Sequence, residues 1–297
     1  MSQTKDILCI GSVLWDIIGR SSASMRAGSD VPGRITRLPG GVALNVAMTL
    51  KRFAMNPILL TAVGEDEEGH DLISVTTRMG LETAYIYRSA DLPTDRYMAV
   101  EGANGLIAAI ADAHSLEAAG DKILGPLQDG RLGSAKAPYD GAVVLDGNLT
   151  QTLLSEIAQS ALFAKANLHV APASPGKAER LLPLLAMPNA TFYVNLEEAG
   201  LLCQTRFDTA PIAAEALLKR GAAKVLVTDG GKTAALAGPN GIFHAVPPQV
   251  LVTRVTGAGD TFMAAHIAAE MSGADAETAL SDALRAAADY VSGDVPS

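Results

Sequence analysis

The sequence near the C-terminus places small residues and one acidic side chain directly before an apolar helix. In RVTGAGDTFMAAHIAAEM, which begins at Arg254, the residues Gly257, Ala258 and Gly259 precede Asp260. Small residues at a helix start let backbone amides approach an anion, and the positive end of the helix dipole favours negative charge. These amides could therefore bind phosphate, with Asp260 as the general base for an attacking hydroxyl. The alternative is that Asp260 only caps the helix.

A pair of glycines also begins a second predicted helix. In PGGVALNVAMTL, Gly40 and Gly41 precede the helix, and Asn45 lies one turn further on among apolar residues. Asn is a weak helix former and needs hydrogen-bond partners when buried, so a sugar hydroxyl is one explanation and neighbouring backbone is the other. Asp16, just after the first predicted strand, either accepts hydrogen bonds from hydroxyl groups or is a turn carboxylate.

Two glycine patterns match nucleotide-binding motifs only in part. DGGKT, which begins at Asp229, contains the Gly-Lys-Thr of a P-loop, but Leu226 occupies a position where that motif needs glycine. GAGDTF begins like a dinucleotide-binding fingerprint, yet Phe262 stands where its third glycine belongs. A nicotinamide or flavin enzyme is therefore not expected.

Composition disfavours several classes of partner. The 297 residues carry a formal charge of -9 and no run of Lys or Arg, which disfavours binding to a nucleic acid polymer. No uncharged apolar run approaches the roughly 20 residues that span a bilayer, and the first apolar run is too short for a signal peptide. Cys9 and Cys203 are too few for a disulfide framework and are expected in the core. We therefore expect a cytoplasmic protein that does not bind membranes.

Apolar segments typical of buried strands alternate with helix-like segments. The predicted strands are Ile7–Ile10, Ile58–Val63, Ala142–Leu145, Leu168–Ala171, Thr191–Val194 and Val225–Thr228. The predicted helices are Val42–Phe53, Asp71–Met79, Leu153–Phe163, Glu179–Leu185, Ile212–Arg220, Thr261–Met271 and Ala274–Tyr290. This alternation predicts an α/β fold, a doubly wound and mostly parallel sheet with helices on both faces.

Two regions interrupt the alternation. Residues 12–39 contain no good helix, and TDRYMAVEGANGLIAAIADAH is typical of two strands around a turn from Gly102 to Gly105. We expect residues 1–297 to form a single domain, with a small β-rich lid built from about 12–39 and 84–113. Because the unpaired edge of a lid sheet seeks a partner, we also expect a homodimer through the lid.

The motifs GSVLWDI, PGGVALNVA, NLEEA, VTDGG and VTGAGDTF occur in a familiar order. In order and rough spacing they resemble the ribokinase-like, or PfkB-type, family of sugar and nucleoside kinases over nearly the whole chain. The resemblance implies an ATP-dependent kinase that phosphorylates a primary hydroxyl, with a doubly wound core and a β lid over the sugar. Magnesium is expected as well, since charge on the phosphates must be neutralised during transfer.

The resemblance also assigns roles to residues at matching positions. It implies that Asp260 is the general base and that the amides of Gly257, Ala258 and Gly259 form an anion hole. The residues implied to hold the acceptor are Asp16, Gly40, Gly41 and Asn45. The residues implied to bind ATP are Asn195, Glu198, Thr228, Gly230 and Thr256. Asn195 and Glu198 match the family's N-x-x-E element, which acts on magnesium mostly through water, so no direct metal ligand is expected.

Within this family the lid stretches and VVLDGNLT most resemble the subgroup that phosphorylates pseudouridine. Asp112 falls where that subgroup has a polar residue near the substrate, although a strand-end carboxylate is an equal explanation. The resemblance therefore implies transfer to the 5'-hydroxyl of pseudouridine. The alternatives are a kinase for ribose, a hexose or another nucleoside, and a nucleoside- or sugar-binding protein without catalysis.

Two positions depart from the family pattern. Many members have Asp two residues before the Thr of TGAGD, where it is associated with a monovalent-cation site, and this chain has Arg254. The resemblance therefore does not carry a potassium requirement over to this chain. Ala171 stands where an acidic residue often precedes the proline, which alters the polar contacts expected near the site.

Overall fold

The computed structural model describes residues 6–26 and 28–293. The prediction of no signal peptide rests partly on residues 1–5, which lie outside the described residues, as do Ala27 of the predicted lid and residues 294–297 of the predicted domain. None of the helices formed by the described residues is long and apolar enough to cross a membrane.

Strands and helices alternate along the described chain. The strands are β1 (Asp6–Ile10), β2 (Leu14–Arg20), β3 (Arg34–Gly40), β4 (Asn56–Leu60), β5 (Ala62–Gly64), β6 (Tyr87–Ser89), β7 (Arg96–Gly102), β8 (Gly105–Asp112), β9 (Ala142–Asp146), β10 (Asn167–Ala171), β11 (Ala190–Asn195), β12 (Lys224–Thr228), β13 (Ala234–Gly238) and β14 (Gly241–Ala245). The α-helices are α1 (Val42–Arg52), α2 (Glu67–Arg78), α3 (His114–Ala119), α4 (Gly125–Gln128), α5 (Gln151–Gln159), α6 (Leu196–Cys203), α7 (Ala210–Lys219), α8 (Ala258–Met271) and α9 (Ala276–Ser292).

The main sheet of the described chain has eight strands, in the spatial order β14, β13, β12, β11, β10, β9, β1, β4. The strands from β12 to β4 are parallel, whereas β13 and β14 run antiparallel at one edge. Leu8 and Cys9 are neighbours in β1 but pack into different cores, one beneath α5, α6 and α7 and the other beneath α1, α8 and α9. Helices thus cover both faces, and the predicted doubly wound α/β fold is confirmed.

Four further strands form a second sheet in the spatial order β3, β2, β7, β8. Strands β7 and β8 are the predicted hairpin, with Gly102 opposite Gly105 at the turn. Side chains alternate between the two faces of a sheet. Asp16, Tyr97 and Ala111, which lie opposite one another across β2, β7 and β8, therefore share one face.

The predicted strand Ile58–Val63 is divided in two. Strand β4 belongs to the main sheet, whereas β5 pairs with β6 in a separate two-stranded sheet. Residues 84–95 were included in the predicted lid, but they add no strand to the four-stranded second sheet. The second sheet therefore contains fewer residues than the lid expected from the sequence.

Several other elements differ from the prediction. The predicted helix Glu179–Leu185 belongs to a 3-10 helix, Pro175–Leu184, which contains Pro183. Because proline lacks an N–H and clashes with the preceding turn, this segment cannot continue as an α-helix. The β13–β14 hairpin and the helices α3, α4 and α6 were not predicted, since AALAG has weak strand propensity and these helices have only six, four and eight residues.

Hydrogen bonds among three buried side chains connect α8 to the main sheet. The Tyr193 hydroxyl of β11 lies 3.0 Å from His169 Nδ1 of β10 and 2.9 Å from His266 Nδ1 of α8. Burial lowers the pKa of both histidines far below the usual value, so both rings are neutral. The hydroxyl therefore donates to one ring and accepts from the other, which gives the Nδ1 atom of each ring a partner.

Replacing Tyr193 with Phe removes the shared hydroxyl and leaves two buried imidazole nitrogens without a partner. We expect Y193F to lower the free energy of unfolding by about 1–3 kcal/mol, measured by urea denaturation. Tyr139→Phe is the control, because the Tyr139 hydroxyl donates to the Asp6 carbonyl at an exposed site, 2.7 Å away. Equal losses of unfolding free energy in the two variants would mean that the buried hydroxyl of Tyr193 stabilises the fold no more than the exposed hydroxyl of Tyr139.

Candidate active site

A cavity of about 570 Å³ lies between the second sheet and the carboxyl ends of the main-sheet strands. Most of the residues predicted from the sequence line it. These residues are Asp16, Gly41, Asn45, Asn195, Glu198, Thr228, Thr256, Gly257, Gly259 and Asp260. Residues from five separate stretches of the sequence therefore share one cavity, as expected for ligands bound at the carboxyl edge of an open α/β sheet.

The glycine turn before α8 leaves amides free at the helix start. Gly257 has φ 90°, and a Cβ there would lie 2.5 Å from the Tyr290 hydroxyl, so glycine is required. The Ala258 amide donates to the Val255 carbonyl at 3.0 Å. Within the described residues, no acceptor contacts the amides of Gly257, Gly259 or Asp260. Two of the three amides predicted for the anion hole are therefore free, the Ala258 amide is not, and the Asp260 amide is free as well.

Asp260 lies in the first turn of α8 and contacts the start of α1. The Asn45 side-chain amide donates to Asp260 Oδ2 at 2.8 Å. Burial raises the pKa of Asp260 to about 7, the Asn45 bond lowers it, and nearby carboxylates raise it further. A carboxyl group whose pKa lies near neutrality is well suited to accept a proton from a hydroxyl. The alternative role, a side-chain cap of α8, is not observed.

The glycine pair before α1 is explained by close packing. A Cβ on Gly40 would lie 2.1 Å from Asp16 Oδ2, and one on Gly41, where φ is 100°, would lie 2.4 Å from the Ser12 carbonyl oxygen. The two glycines therefore let Asp16 and Ser12 approach the start of α1. Gly40 supports Asp16 and does not itself line the cavity.

Asp16 lies on the cavity face of the second sheet. Burial raises the pKa of its carboxyl group to about 6. Among the described residues, no hydrogen-bond donor contacts its side chain, and the carboxylate is partly exposed within the cavity. Asp16 is therefore free to accept hydrogen bonds from ligand hydroxyl groups.

A buried polar network beside the cavity was not predicted from the sequence. The fully buried Asp146 accepts hydrogen bonds from the Ser12 amide at 2.8 Å, the Ser12 hydroxyl at 2.5 Å and the Asn148 amide at 2.7 Å. Lys177 donates to Asn148 Oδ1 at 2.5 Å, and burial lowers the pKa of its ammonium group. Ser12, Asn148 and Lys177 line the cavity. One signal in the sequence could have predicted this network. Polar residues directly follow β1 and β9, and the carboxyl ends of these two strands are adjacent.

Asn195 and Glu198 form a capping box at the start of α6. Asn195 Oδ1 accepts from the Glu198 amide at 2.9 Å, and Glu198 Oε2 accepts from the Asn195 amide at 2.8 Å. Burial raises the pKa of Glu198 to about 7, the Asn195 backbone bond lowers it, and the Glu197 charge raises it. In residues 6–26 and 28–293, no cluster of three or more His, Cys, Asp or Glu side chains could hold a metal ion directly.

Four predicted site residues do not line the cavity, namely Gly40, Asp112, Gly230 and Ala258. Asp112 lies opposite Arg96 on the face of the second sheet that points away from Asp16, and its carboxylate contacts His114 Nδ1 at 2.7 Å. Its neighbour Ala111 faces the cavity instead. The alternation of β8 therefore separates Asp112 from the substrate side in this conformation.

Free amides at a helix start, a carboxyl group with a near-neutral pKa and a carboxylate without a hydrogen-bond donor in one cavity fit phosphoryl transfer. The fold and this site define an ATP-dependent phosphotransferase with an alcohol group as acceptor. Residues 4–292 match the family model described as pfkB family carbohydrate kinase, and the chain belongs to this family.

Known proteins similar to this chain include two pseudouridine kinases. The enzyme of Escherichia coli (strain K12) is 28% identical over 275 residues, which cover 89% of this chain and 83% of that protein. The enzyme of Arabidopsis thaliana is 26% identical over 250 residues, 76% of this chain and 64% of that protein. The structure of Arabidopsis thaliana ribokinase complexed with ribose and ATP has a TM-score of 0.75 at 20% identity, over 98% of this chain and 93% of that chain.

Replacing Asp260 with Asn tests the cost of the buried carboxylate. Because the folded pKa is raised to about 7, the folded state binds more protons than the unfolded state between about pH 4 and 7. The free energy of unfolding contributed by Asp260 therefore falls as pH rises through this window. We expect D260N to raise Tm relative to the original protein, and by more at pH 8 than at pH 5.

The control for this experiment is Asp275→Asn. Asp275 is the exposed N-cap of α9, where its hydrogen bond from the Thr278 amide lowers its pKa. D275N should therefore give no gain in Tm at pH 8. A gain for D260N that is independent of pH would contradict the assigned pKa shift.

Proposed function

We propose that this chain transfers the γ-phosphoryl group of MgATP to the 5'-hydroxyl of a nucleoside, with pseudouridine as the acceptor. The observation that carries the proposal is the Asp260 carboxyl group, held by Asn45 beside the free amides of α8 in the same cavity as Asp16. The similarity to two pseudouridine kinases supports the choice of acceptor.

Asp260 acts as the general base in this proposal. It accepts the proton of the acceptor hydroxyl as the new O–P bond forms and the bond between the γ-phosphorus and the bridging oxygen breaks, so that ADP leaves. Bound MgATP supplies the phosphoryl group. The amides of Gly257, Gly259 and Asp260 stabilise the negative charge of the group in transfer, aided by the dipole of α8.

The nucleotide side of the site is assigned to residues at and after the ends of β11 and β12 and to the turn before α8. Thr228, Gly230 and Thr256 bind ATP in this proposal, together with Asn195 and Glu198. The capping box occupies Glu198 Oε2, and no donor among the described residues contacts Oε1. Glu198 therefore retains an oxygen for a contact to magnesium through water, which fits the absence of a direct metal-ligand cluster among those residues.

The acceptor side is assigned to Asp16, Gly41 and Asn45. The Asp16 carboxylate accepts hydrogen bonds from ribose hydroxyls, since it has no donor of its own among the described residues. Lys177 lines the same cavity, and only one of its three N–H donors is used, by Asn148. In this proposal a second N–H of Lys177 donates to a carbonyl oxygen of the base, a group that a simple sugar lacks.

The second sheet is proposed to act as a lid. It contributes Asp16 and Tyr97 to the cavity wall, so its closure over a bound acceptor would exclude water and limit hydrolysis of ATP. The four strands β2, β3, β7 and β8 carry this role. Residues 1–297 form one domain in this proposal, and the cytoplasmic location inferred from the sequence stays a prediction.

ADP release from MgATP tests this function with pseudouridine, uridine, adenosine, ribose and fructose as acceptors. We expect the highest kcat/KM with pseudouridine and a product whose mass corresponds to the monophosphate. D260N should lower kcat by about 10²- to 10⁴-fold with the acceptor still bound, whereas D275N should retain the original rate. Preference for another acceptor would replace pseudouridine and keep the mechanism. Acceptor binding without any ADP would instead support a binding protein without catalysis.

We further propose that the outer face of the second sheet forms a homodimer. Ile35, Met98 and Ile110 lie on the face opposite Asp16, and Ile35 and Ile110 are 80% and 67% exposed. Apolar side chains grouped on one exposed sheet face are typical of protein interfaces. A second copy of the same face would bury them and also cover the edge strands β3 and β8.

Light scattering after size-exclusion chromatography tests the dimer. The original protein should elute with twice the mass of one chain, and Ile110→Asp should elute as a monomer, because a buried carboxylate at the interface is costly. Ile212→Asp, an exposed apolar residue on α7, is the matched control and should remain dimeric. A monomeric original protein, or a dimeric I110D, would contradict an interface on this face.

A further inference from the structure

The turn before α8 is built on the C-terminal end of α9. The amide and the hydroxyl of Thr253 donate to the Val291 carbonyl at 2.8 and 3.0 Å. Arg254 Nε donates to the Tyr290 carbonyl at 2.7 Å. The last carbonyls of a helix have no partner within it and carry partial negative charge, so donors and positive charge are favourable there.

The guanidinium group of Arg254 also covers the Tyr290 ring. Its central carbon lies 3.9 Å from the ring centroid, which is within the range of a cation–π contact. A planar guanidinium group can stack and donate a hydrogen bond at the same time, whereas a lysine ammonium group cannot. Arg254 therefore fixes both the backbone and the side chain of Tyr290.

Tyr290 in turn contacts the turn that carries the free amides. Its hydroxyl donates to the Thr256 carbonyl at 2.9 Å, and it occupies the space where a Cβ of residue 257 would lie. Gly257 is the first of the residues whose amides are free for phosphate. A continuous set of contacts therefore runs from Arg254 through Tyr290 to the anion-binding turn.

These residues do not fit the monovalent cation that the family resemblance associates with position 254. Carbonyl oxygens are the ligands by which proteins hold potassium, but those of Tyr290 and Val291 already accept hydrogen bonds. Arg254 also places a permanent positive charge at this point, which would repel a second cation.

We propose that Arg254 replaces such a cation and, with Tyr290, positions the anion-binding turn, so that phosphoryl transfer does not require potassium. The proposal rests on the proposed kinase function. Arg254 acts here through Tyr290 and is a positioning residue, since the guanidinium group contacts no part of the acceptor in this assignment.

Initial rates in potassium chloride and in tetramethylammonium chloride, at equal ionic strength, test the cation. We expect equal rates for the original protein. Arg254→Met should lower kcat by about 10- to 100-fold, because a displaced anion hole stabilises the transition state less. KM for the acceptor should stay the same, since the acceptor contacts Asp16 and Asn45. Arg254→Lys should recover only part of kcat, because it restores charge without stacking.

Arg131→Met is the matched control. The Arg131 guanidinium group also lies over a tyrosine, 5.8 Å from the centroid of Tyr85, and pairs with Asp129 at an exposed site away from the cavity. R131M should keep the original kcat. Tyr290→Phe, which removes only the bond to Thr256, should lower kcat in the same sense as R254M.

The thermal unfolding midpoint separates this inference from the proposed function. A cation that binds the folded protein raises Tm. Because we propose that no such cation binds here, Tm of the original protein should be equal in the two salts. Potassium-dependent rates or Tm in the original protein would overturn the inference, and so would an R254M variant with unchanged kcat. If no acceptor is phosphorylated, the proposed function fails, while the comparison of Tm values still tests whether Arg254 excludes the cation.

Discussion

The hydrogen bond between Asn45 and Asp260 joins the first turns of two helices that are 215 residues apart in the chain. The carboxyl group of Asp260 has to meet two requirements. It must be buried enough for its pKa to reach about 7, and it must still ionise and keep its orientation. A single amide donor meets both needs. It is available because α1 and α8 cover the same face of the sheet and begin at its carboxyl edge.

The other acidic groups around the cavity are held in different ways, and their assigned roles differ accordingly. Asp146 is fully buried and accepts four hydrogen bonds from Ser12 and Asn148, so it organises the wall of the cavity. Glu198 is fixed by the capping box of α6 with one oxygen left over. Asp16 has no donor among the described residues and is left for a ligand. Together the negative charges of Asp146, Asp16 and Glu198 add to the effect of burial and raise the pKa of Asp260. The other acidic groups of the cavity therefore help to set the pH at which the base ionises.

The sequence was sufficient for the fold class and for most of the residues in the cavity, because alternating strands and helices and the small residues before α1 and α8 are local signals. It was not sufficient for features that depend on distant contacts. Asp112 lies on the outer face because of the register of β7 and β8, which includes an irregularity between Val100 and Glu101. The use of the Ala258 amide depends on turn geometry, and the pairing of Ser12 with Asp146 joins residues 134 apart.

The pH dependence of kcat/KM, compared between the original protein and Asn45→Ala, tests the central claim most directly. We expect activity to fall below about pH 7 as Asp260 is protonated, and the midpoint to move to higher pH in N45A, because the Asn45 bond lowers that pKa. An acid limb near pH 4, or one that N45A leaves in place, would show that Asp260 held by Asn45 is not the base.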